Sequence, residues 1–423
     1  MMAFGRAGAV HVSYSPASDN GARRDRDAPP KEAMNGQRLW LALGLMSGTS
    51  LDGIDAALLH TDGATLVRPG AWLTVPYDAA LRARLRDTLG GRGDVAAVER
   101  DLTRSHAAAA AALLERAGLD AAAVDVIGFH GHTIAHRPAD SLTWQIGDGA
   151  LLAGLAGIDV VSDFRRRDVA TGGQGAPLAP LYPAALAAEL ARPLAVLNIG
   201  GVANVTWLGE ERDVRAFDTG PGCALLDDWV RRHTGREFDA DGELAREGAV
   251  HESVLARLLD HPYFSRPPPK SLDRGAFAGA AEGLSPADGA ATLTAFTAAG
   301  AARAEAHLPA PPKRWLIAGG GRRNPALMER LSAVLGAPVA AVETVGWDGD
   351  ALEAQAFAYL AVRSLRGYAL TLPETTGAPR PLAGGALHRH AVVRDPLAGG
   401  GAQEPTSRKQ PRRGARGNPR RGR

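Results

Sequence analysis

The sequence predicts an α/β fold in which strands broken by glycine-rich turns alternate with helices. Apolar strands at residues 39–48 and 194–199 each run into a glycine turn and resume as a second strand. A region rich in Ala, Leu and Arg with helical spacing, residues 78–89 and 95–118, lies between the two hairpins. With 423 residues and 45% hydrophobic content, the chain can bury a large core and is expected to form two domains.

Composition excludes several classes of protein. The one cysteine, Cys223, rules out an intrachain disulfide and fits a reducing compartment. No apolar run reaches the ~18 residues of a membrane span, and the N-terminus lacks the apolar core of a secretory signal. We therefore expect a cytoplasmic protein with no membrane partner.

Charge is concentrated at the C-terminus. Residues 389–423 carry ten Lys and Arg against two Asp and Glu, which leaves 38 basic and 44 acidic residues in the rest of the chain. This tail has almost no apolar content, so we expect it to be disordered, and residues 1–36 are similarly polar. An Arg-rich tail could touch nucleic acid, but a solvated extension is the favoured interpretation, and no nucleic-acid partner is expected.

The stretch LGLMSGTSLDGID, residues 43–55, is the first glycine hairpin. Its turn offers backbone N–H groups and hydroxyls to an anion, and the residues that follow, 54–59, form a strand. A further strand is expected at 71–75, after a turn at Pro69 and Gly70. No Gly-Lys-Ser/Thr follows, so the turn is not a Walker A loop. Phosphate binding, with Asp52 holding Mg²⁺, is one interpretation; an ordinary glycine hairpin is the other.

A histidine-rich stretch, HGHTIAHRP, follows a short buried strand at 124–129. Residues 143–146 are expected to pair back as a strand, so that His130 and His132 line a polar turn. A metal site is the less favoured alternative, because no cysteine or nearby acidic ligand completes a set.

The second polar segment, DFRRRDVATGGQGAPLAP, follows a strand at 158–162. Arg167 and Asp168 stand beside the mobile glycine loop 172–175, an arrangement suited to holding an anionic substrate at the end of a strand. The alternative is a surface charge run on a connection.

Three further glycine turns follow along the chain. The hairpin of 194–199 and 206–208 repeats the first one, and Asp218 is placed after a strand at 214–217 and before a helix at 224–233. There it could be a general base near phosphate or a helix-capping residue. A strand at 315–318 leads into three glycines and a helix at 325–335, and a helix at 351–365 carries Glu353 in its first turn.

These residues carry a resemblance. LGLMSGTSLDGIDAALL, FHGHTIAHRP, WQIGDGALLA, GIDVVSDFRRRDVATGGQGAPLAP, LNIGGVANVT, FDTGPG, PPKSLDR and LIAGGGRRNPALMERL resemble the anhydro-N-acetylmuramic acid kinase family over residues 39–387. The resemblance implies a two-lobed, actin-like and ribonuclease H-like kinase fold, with a mixed five-stranded sheet in each lobe and an ATP cleft between them. Lobe I would be residues 37–165 with a return at 351–388, and lobe II residues 166–350, flanked by extensions 1–36 and 389–423.

The resemblance also implies roles for individual residues. Asp218 would be the catalytic base. The substrate-binding residues would be His130, Thr133, Arg167, Asp168 and Glu353. The ATP-binding residues would be Gly48, Thr49, Ser50, Leu51, Asp52, Gly53, Ile54, Asp55, Gly200, Gly201, Asn204, Gly319, Gly320 and Gly321. The implied cofactors are ATP and Mg²⁺, with Asp52 as the metal ligand; the partners are an anhydro amino sugar and ATP, and a homodimer is left open.

The implied activity is the ATP-dependent conversion of 1,6-anhydro-N-acetylmuramic acid, with water, to N-acetylmuramic acid 6-phosphate in cell-wall recycling. The alternatives are a kinase for another anhydro sugar and a noncatalytic nucleotide-dependent sensor. Two residues depart from the family pattern: His132 stands where glutamine is usual, and Cys223 where asparagine is usual. We expect function to survive the first change, while the second puts the positioning of its loop in doubt.

Overall fold

Two mixed β-sheets form the centre of the computed structural model, which describes residues 33–34, 37–48, 51–211 and 213–390. The strands are β1 (Ala33–Met34), β2 (Gln37–Arg38), β3 (Trp40–Ser47), β4 (Gly53–Thr61), β5 (Val67–Pro76), β6 (Val126–Arg137), β7 (Leu142–Ile146), β8 (Val160–Ser162), β9 (Leu194–Ile199), β10 (Val202–Leu208), β11 (Val214–Pro221), β12 (Trp315–Ala318), β13 (Val339–Ala341) and β14 (Ala386–His388). The α-helices are α1 (Ala79–Thr88), α2 (Val95–Ala117), α3 (Gly149–Ala156), α4 (Arg166–Ala170), α5 (Leu181–Leu186), α6 (Ala224–Thr234), α7 (Glu243–Glu247), α8 (Glu252–Leu259), α9 (Pro286–Ala304), α10 (Pro325–Val334), α11 (Leu352–Leu365) and α12 (Pro373–Thr376).

The two larger sheets share one topology. In the first, β3, β4 and β5 form an antiparallel meander, and β6 and β8 add in parallel on the other side of β3. In the second, β9, β10 and β11 form the meander, and β12 and β13 add in parallel. The predicted α/β class with mixed sheets is therefore confirmed. The first sheet has seven strands rather than the expected five, because β7 pairs with β6 and β14 pairs with β8.

Helix α11 lies directly on the first sheet because two glycines leave room for its backbone. A Cβ added at Gly44 would lie 1.7 Å from the carbonyl oxygen of Ala354, and one at Gly128 would lie 2.0 Å from that of Phe357. The facing helix positions include Ala354 and Ala358, which are fully buried. This close approach holds the first turn of α11, with Glu353, beside the sheet.

Most of the predicted elements are confirmed, including both hairpins, α1 and α2, and the left-handed Gly118 that ends α2. Three predicted turns are instead parts of strands. Strand β5 runs through Pro69 and Gly70, β6 runs through the stretch that was expected to turn at His130, and β11 includes Asp218. In each case a neighbouring strand forms hydrogen bonds with the residues that were expected to turn. This strand pairing outweighs the preference of glycine, proline and polar residues for turns.

The first two residues of the predicted C-terminal extension, Arg389 and His390, both contact Asp159. Arg389 forms an ion pair with Asp159 at 3.0 Å, and Nδ1 of His390 lies 2.9 Å from the same carboxylate. In the N-terminal extension, 33–34 pairs with 37–38. The remaining parts of the two predicted extensions, 1–32, 35–36 and 391–423, lie outside the described residues.

The division into two lobes stays a prediction. Within the described part of the chain, no helix is both long enough and apolar enough to cross a membrane.

Replacing Gly128 by alanine should destabilise the protein by about 3 kcal/mol or more, because the new methyl group would collide with the backbone of α11. Gly154→Ala is the matched control: Gly154 lies on α3, is exposed, and has nothing within 4 Å of its added Cβ. That change should stabilise α3 by about 1 kcal/mol. Urea unfolding of the two variants checks this, and equal midpoints would contradict the close approach of α11.

Candidate active site

A cavity of about 720 Å³ opens between the carboxyl ends of strands from both sheets and the first turn of α11. It is also lined by the segments 176–179 and 272–275 and by residues of α6. Eight of the residues predicted from the sequence line it: Gly48, His130, Thr133, Gly200, Gly201, Asn204, Asp218 and Glu353. The structure thus brings together residues that are up to 305 positions apart in the numbering of the chain.

A row of polar residues crosses the second sheet on the cavity side. Asn204 of β10 is directly opposite Asn198 of β9 on one side and Asp218 of β11 on the other. Ala318 of β12 is opposite Asn198, and all four residues line the cavity. Because directly opposed residues of adjacent strands project from the same face, the sheet register itself assembles this row.

Asp218 is buried and held by one loop through three hydrogen bonds. Its N–H donates to the carbonyl of Lys270 at 3.0 Å, and its carbonyl accepts from the hydroxyl of Tyr263 at 2.5 Å. Its Oδ2 accepts from the N–H of Leu272 at 2.8 Å. Burial raises the pKa of Asp218 to about 7, although the Leu272 bond and the charge of Arg165 oppose the shift. A carboxylate with a pKa near neutrality is suited to accept a proton.

Arg165 is a half-buried cation that lines the cavity, and sequence reasoning missed it. Its Nε donates to Nε2 of His130 at 3.0 Å, and its NH1 donates to the carbonyl of Gly175 at 2.7 Å. Burial lowers the pKa of Arg165 to about 10, while the charges of Glu353, Asp218 and Asp168 oppose this shift. It therefore remains charged at neutral pH. The run RRR at 165–167 contained no signal that distinguished its first member.

His130 is neutral and has a defined tautomer. Its Nδ1 donates to the carbonyl of Gly131 at 2.9 Å, so Nε2 is free to accept from Arg165. Burial and the charge of Arg165 hold the pKa of His130 well below its usual value. Its ring also packs against Phe357, with the centroids 4.5 Å apart. Both nitrogens are occupied, so His130 orients the guanidinium of Arg165.

Glu353 and Thr133 complete the polar lining. Asn198 donates to Oε1 of Glu353 at 3.3 Å, and burial raises the pKa of this carboxyl against the opposing charge of Arg165. Oγ1 of Thr133 accepts from the amide of Gln145 at 3.1 Å, which leaves the Thr133 hydroxyl proton available to a ligand.

Two predicted substrate residues do not line the cavity. The Arg167 side chain is exposed on α4, outside the cavity. Asp168 is buried, and its carboxylate accepts from the N–H of Gly175 at 2.7 Å and from the hydroxyl of Thr376 at 2.6 Å. The two residues were expected beside a flexible turn; they lie instead on a short helix, where Asp168 holds the glycine loop in place.

Of the first glycine turn, Gly48 alone among its described residues reaches the cavity. Thr49 and Ser50 lie outside the described residues. Leu51 is buried with a φ of 62° and donates its N–H to the carbonyl of Gly48 at 3.2 Å. Gly53 and Ile54 are buried in β4. The predicted adenosine glycines Gly319, Gly320 and Gly321 follow the cavity residue Ala318 but do not line the cavity themselves.

Carboxylates surround the base of this turn. Asp55 accepts from the hydroxyl of Thr74 at 2.5 Å, and burial raises its pKa to about 8 despite that bond. The charges of Asp52, Glu353 and Asp350 raise it further. Among the described residues, no group of three or more His, Cys, Asp or Glu is arranged to hold a metal ion by itself. The donor set instead fits a cation such as Mg²⁺ that arrives with phosphate oxygens and takes one or two carboxylates.

The second glycine turn is fixed by the start of α6. The carbonyl of Gly200 accepts from the N–H of Cys223 at 2.7 Å, and that of Gly201 accepts from Gly222 at 3.1 Å. The Cys223 side chain makes no capping bond, and burial raises the pKa of its thiol. The backbone of Cys223 therefore positions the turn without the amide that the family pattern usually supplies.

A family model and the sequence relatives agree on one family. The family model described as anhydro-N-acetylmuramic acid kinase matches residues 40–390. The anhydro-N-acetylmuramic acid kinase of Paramagnetospirillum magneticum is 60% identical over 352 residues, which cover 82% of this chain and 99% of that protein. The enzyme of the same name from Rhodospirillum rubrum is 60% identical over 359 residues, covering 83% and 95%.

Solved structures show much lower identity to this chain. A ROK family glucokinase from Streptomyces griseus is 16% identical with a TM-score of 0.38, covering 76% of this chain and 98% of that one. The (R)-2-hydroxyglutaryl-CoA dehydratase component A of Acidaminococcus fermentans is 14% identical with a TM-score of 0.41, covering 76% and 99%.

Asp218→Asn should stabilise the folded protein at about pH 8, because it removes a buried charge and keeps an acceptor for the N–H of Leu272. Because the pKa of Asp218 is raised on folding, the folded state favours the protonated carboxyl. The stability that this gives is full below about pH 4 and is lost as the pH rises to about 7. The advantage of the variant should reach up to ~4 kcal/mol at about pH 8 and vanish near pH 4. Chemical unfolding at both pH values checks this; an advantage independent of pH would contradict the raised pKa.

Proposed function

The chain belongs to the anhydro-N-acetylmuramic acid kinase family, and from that premise we propose that Asp218 is the general base of its reaction. The enzyme converts 1,6-anhydro-N-acetylmuramic acid, with water and ATP, to N-acetylmuramic acid 6-phosphate and ADP, a step of peptidoglycan recycling. The observation that supports the role of Asp218 is its buried carboxylate at the cavity, with a pKa raised to about 7. A base with this pKa is half deprotonated near neutral pH and still accepts a proton readily.

The substrate determines what the base must do. In a 1,6-anhydro sugar the 6-oxygen belongs to an ether bridge and carries no proton. We therefore propose that Asp218 takes a proton from a water molecule, whose oxygen bonds to the anomeric carbon as the bond to the 6-oxygen breaks. The 6-oxygen then bonds to the γ-phosphorus of ATP and ADP leaves, so that every atom is accounted for.

The sugar would lie against Thr133, Glu353 and Arg165. Thr133 has a hydroxyl proton to donate, and Glu353 has carboxylate lone pairs to accept from a sugar hydroxyl or amide. We propose that His130 acts through Arg165, since both of its nitrogens are already bonded. Arg167 remains the candidate from the family resemblance for the lactyl carboxylate, and Asp168 acts on the glycine loop.

ATP would place its phosphates at the two glycine turns. Gly48, Gly200, Gly201 and Asn204 line the cavity and support this position. By the family resemblance, Thr49 to Asp55 complete the first phosphate site, and Gly319 to Gly321 hold the adenosine. Asp52, with Asp55 behind it, would hold Mg²⁺, which neutralises the phosphate charge as it develops. We further propose that the enzyme works in the cytoplasm, where ATP and the recycled sugar meet.

Turnover in ¹⁸O-water should place one label on the anomeric hydroxyl and none on the oxygen that joins carbon 6 to phosphorus. Asp218→Asn should abolish ring opening and phosphoryl transfer together, because an amide cannot accept the proton, while both ligands still bind. Mass spectrometry of early product, before the free anomer exchanges, checks this. Label in the phosphate ester, or an Asn variant that still phosphorylates the anhydro sugar at a comparable rate, would refute the mechanism.

Arg165→Ala should lower kcat/KM by about 100-fold or more, since it removes a cation whose charge acts on both Asp218 and Glu353. Arg166→Ala is the control, because Arg166 is exposed and pairs only with Asp163 at 3.6 Å among the ion pairs of the described residues. An Arg165 variant with unchanged kcat/KM would remove Arg165 from the site.

Arg167→Ala should be assayed with anhydro sugars that have or lack the lactyl group. A loss confined to the carboxylated sugar would assign that contact to Arg167.

A further inference from the structure

Three buried side chains form a hydrogen-bonded chain behind the first glycine turn. The hydroxyl of Tyr77 donates to Oγ of Ser47 at 2.7 Å, and Oγ of Ser47 lies 2.9 Å from Nδ1 of His132. Ser47 is the last residue of β3 and directly precedes Gly48. Ser47, Tyr77 and His132 are 1%, 5% and 0% exposed, respectively, so the bonds are sheltered from competing water.

Tyr77 makes a second bond, to the other end of the same turn. Its backbone N–H donates to the carbonyl of Asp52 at 3.2 Å. One residue therefore ties the position before the turn, Ser47, to a position at its end, Asp52. Tyr77 is itself placed firmly, because it stands between the end of β5 and Asp78, whose side chain caps α1.

The three side chains keep one protonation pattern over the working pH range. Burial raises the pKa of Tyr77, so its phenol retains its proton. Burial lowers the pKa of His132 to about 4, so its ring is neutral. Ser47 Oγ accepts the proton of Tyr77 and makes its second bond to Nδ1 of His132. The three hydrogen-bonded side chains are therefore uncharged near neutral pH, and their bonds do not depend on pH there.

We propose that Tyr77, Ser47 and His132 are positioning residues that fix the two ends of the phosphate-binding turn, at Gly48 and at Asp52. The proposal rests on the assignment of this turn to the ATP phosphates. Backbone N–H groups bind phosphate well only when they already point at it, so loosening either end of the turn lowers ATP affinity. The proposed sugar contacts Thr133, Arg165 and Glu353 take their hydrogen bonds from Gln145, His130 and Asn198, so removing the Tyr77 hydroxyl leaves those bonds in place.

Tyr77→Phe removes one hydroxyl and keeps the ring. We expect the KM for ATP and the Kd of a nonhydrolysable ATP analogue to rise about tenfold, while the KM for the anhydro sugar changes by less than about twofold. Tyr359→Phe is the matched control. Tyr359 is also buried and donates its hydroxyl at 2.7 Å, but to the carbonyl of Ala64, in the connection between β4 and β5. It should lose stability and leave both KM values unchanged.

His132 allows a second test that separates polarity from packing. His132→Asn keeps a polar atom near the place of Nδ1 and should retain most ATP affinity, whereas His132→Leu should match Tyr77→Phe. Equal weakening of ATP and sugar, or unchanged analogue binding in folded Tyr77→Phe, would overturn the proposal. Calorimetry with the analogue tests it without turnover. If the wild type binds the analogue but does not turn over the anhydro sugar, the proposed function is wrong. Analogue binding by the Tyr77 and His132 variants still tests the positioning role in that case.

Discussion

The site depends on one electrostatic arrangement: the buried carboxylate of Asp218 and the half-buried guanidinium of Arg165, whose charges act on each other. Removing either charge from water costs several kcal/mol, so each needs hydrogen bonds of its own. The protein supplies them from separate segments: Leu272 donates to Asp218, while Gly175 and His130 accept from Arg165. Burial is not fully offset, and this leaves the pKa of Asp218 near 7 rather than near 4. The part of the burial cost that these bonds do not offset lowers stability, and it also gives Asp218 the pKa of a base that works near neutral pH.

The position of Arg165 also depends on how closely α11 packs on the first sheet. Gly44 and Gly128 let α11 pack directly on the first sheet, and Glu353 and Phe357 of this helix line the cavity. Phe357 then supports the ring of His130, which in turn orients Arg165. A substitution that lifted the helix by a methyl group would therefore disturb the cation, although it lies in the sheet and contacts no ligand. Stability and catalysis are coupled here through backbone contact.

Sequence reasoning succeeded where the signal was local and failed where pairing decided the outcome. The glycine hairpins, the capped helices α1 and α2, and eight of the residues that line the cavity followed from turn chemistry, periodicity and family motifs. Strand β6 was predicted to stop before His130, with residues 143–146 pairing back after a polar turn. The partner strand β7 is where it was predicted, but β6 continues to Arg137, so residues 132–137 pair with β7 instead of forming the turn. The length of a strand is decided by pairing along its whole edge, which the residue types at 130–132 do not reveal.

The sequence by itself determined the alternation of strands, glycine turns and helices, and the family, because these depend on residue types at fixed spacings along the chain. Only the tertiary structure decided which arginine of the run 165–167 enters the cavity. Three consecutive residues at the start of a helix point in directions about 100° apart, so one at most can face a given site. His130 and the carbonyl of Gly175 select Arg165, and both come from segments that are brought beside it only when the chain folds.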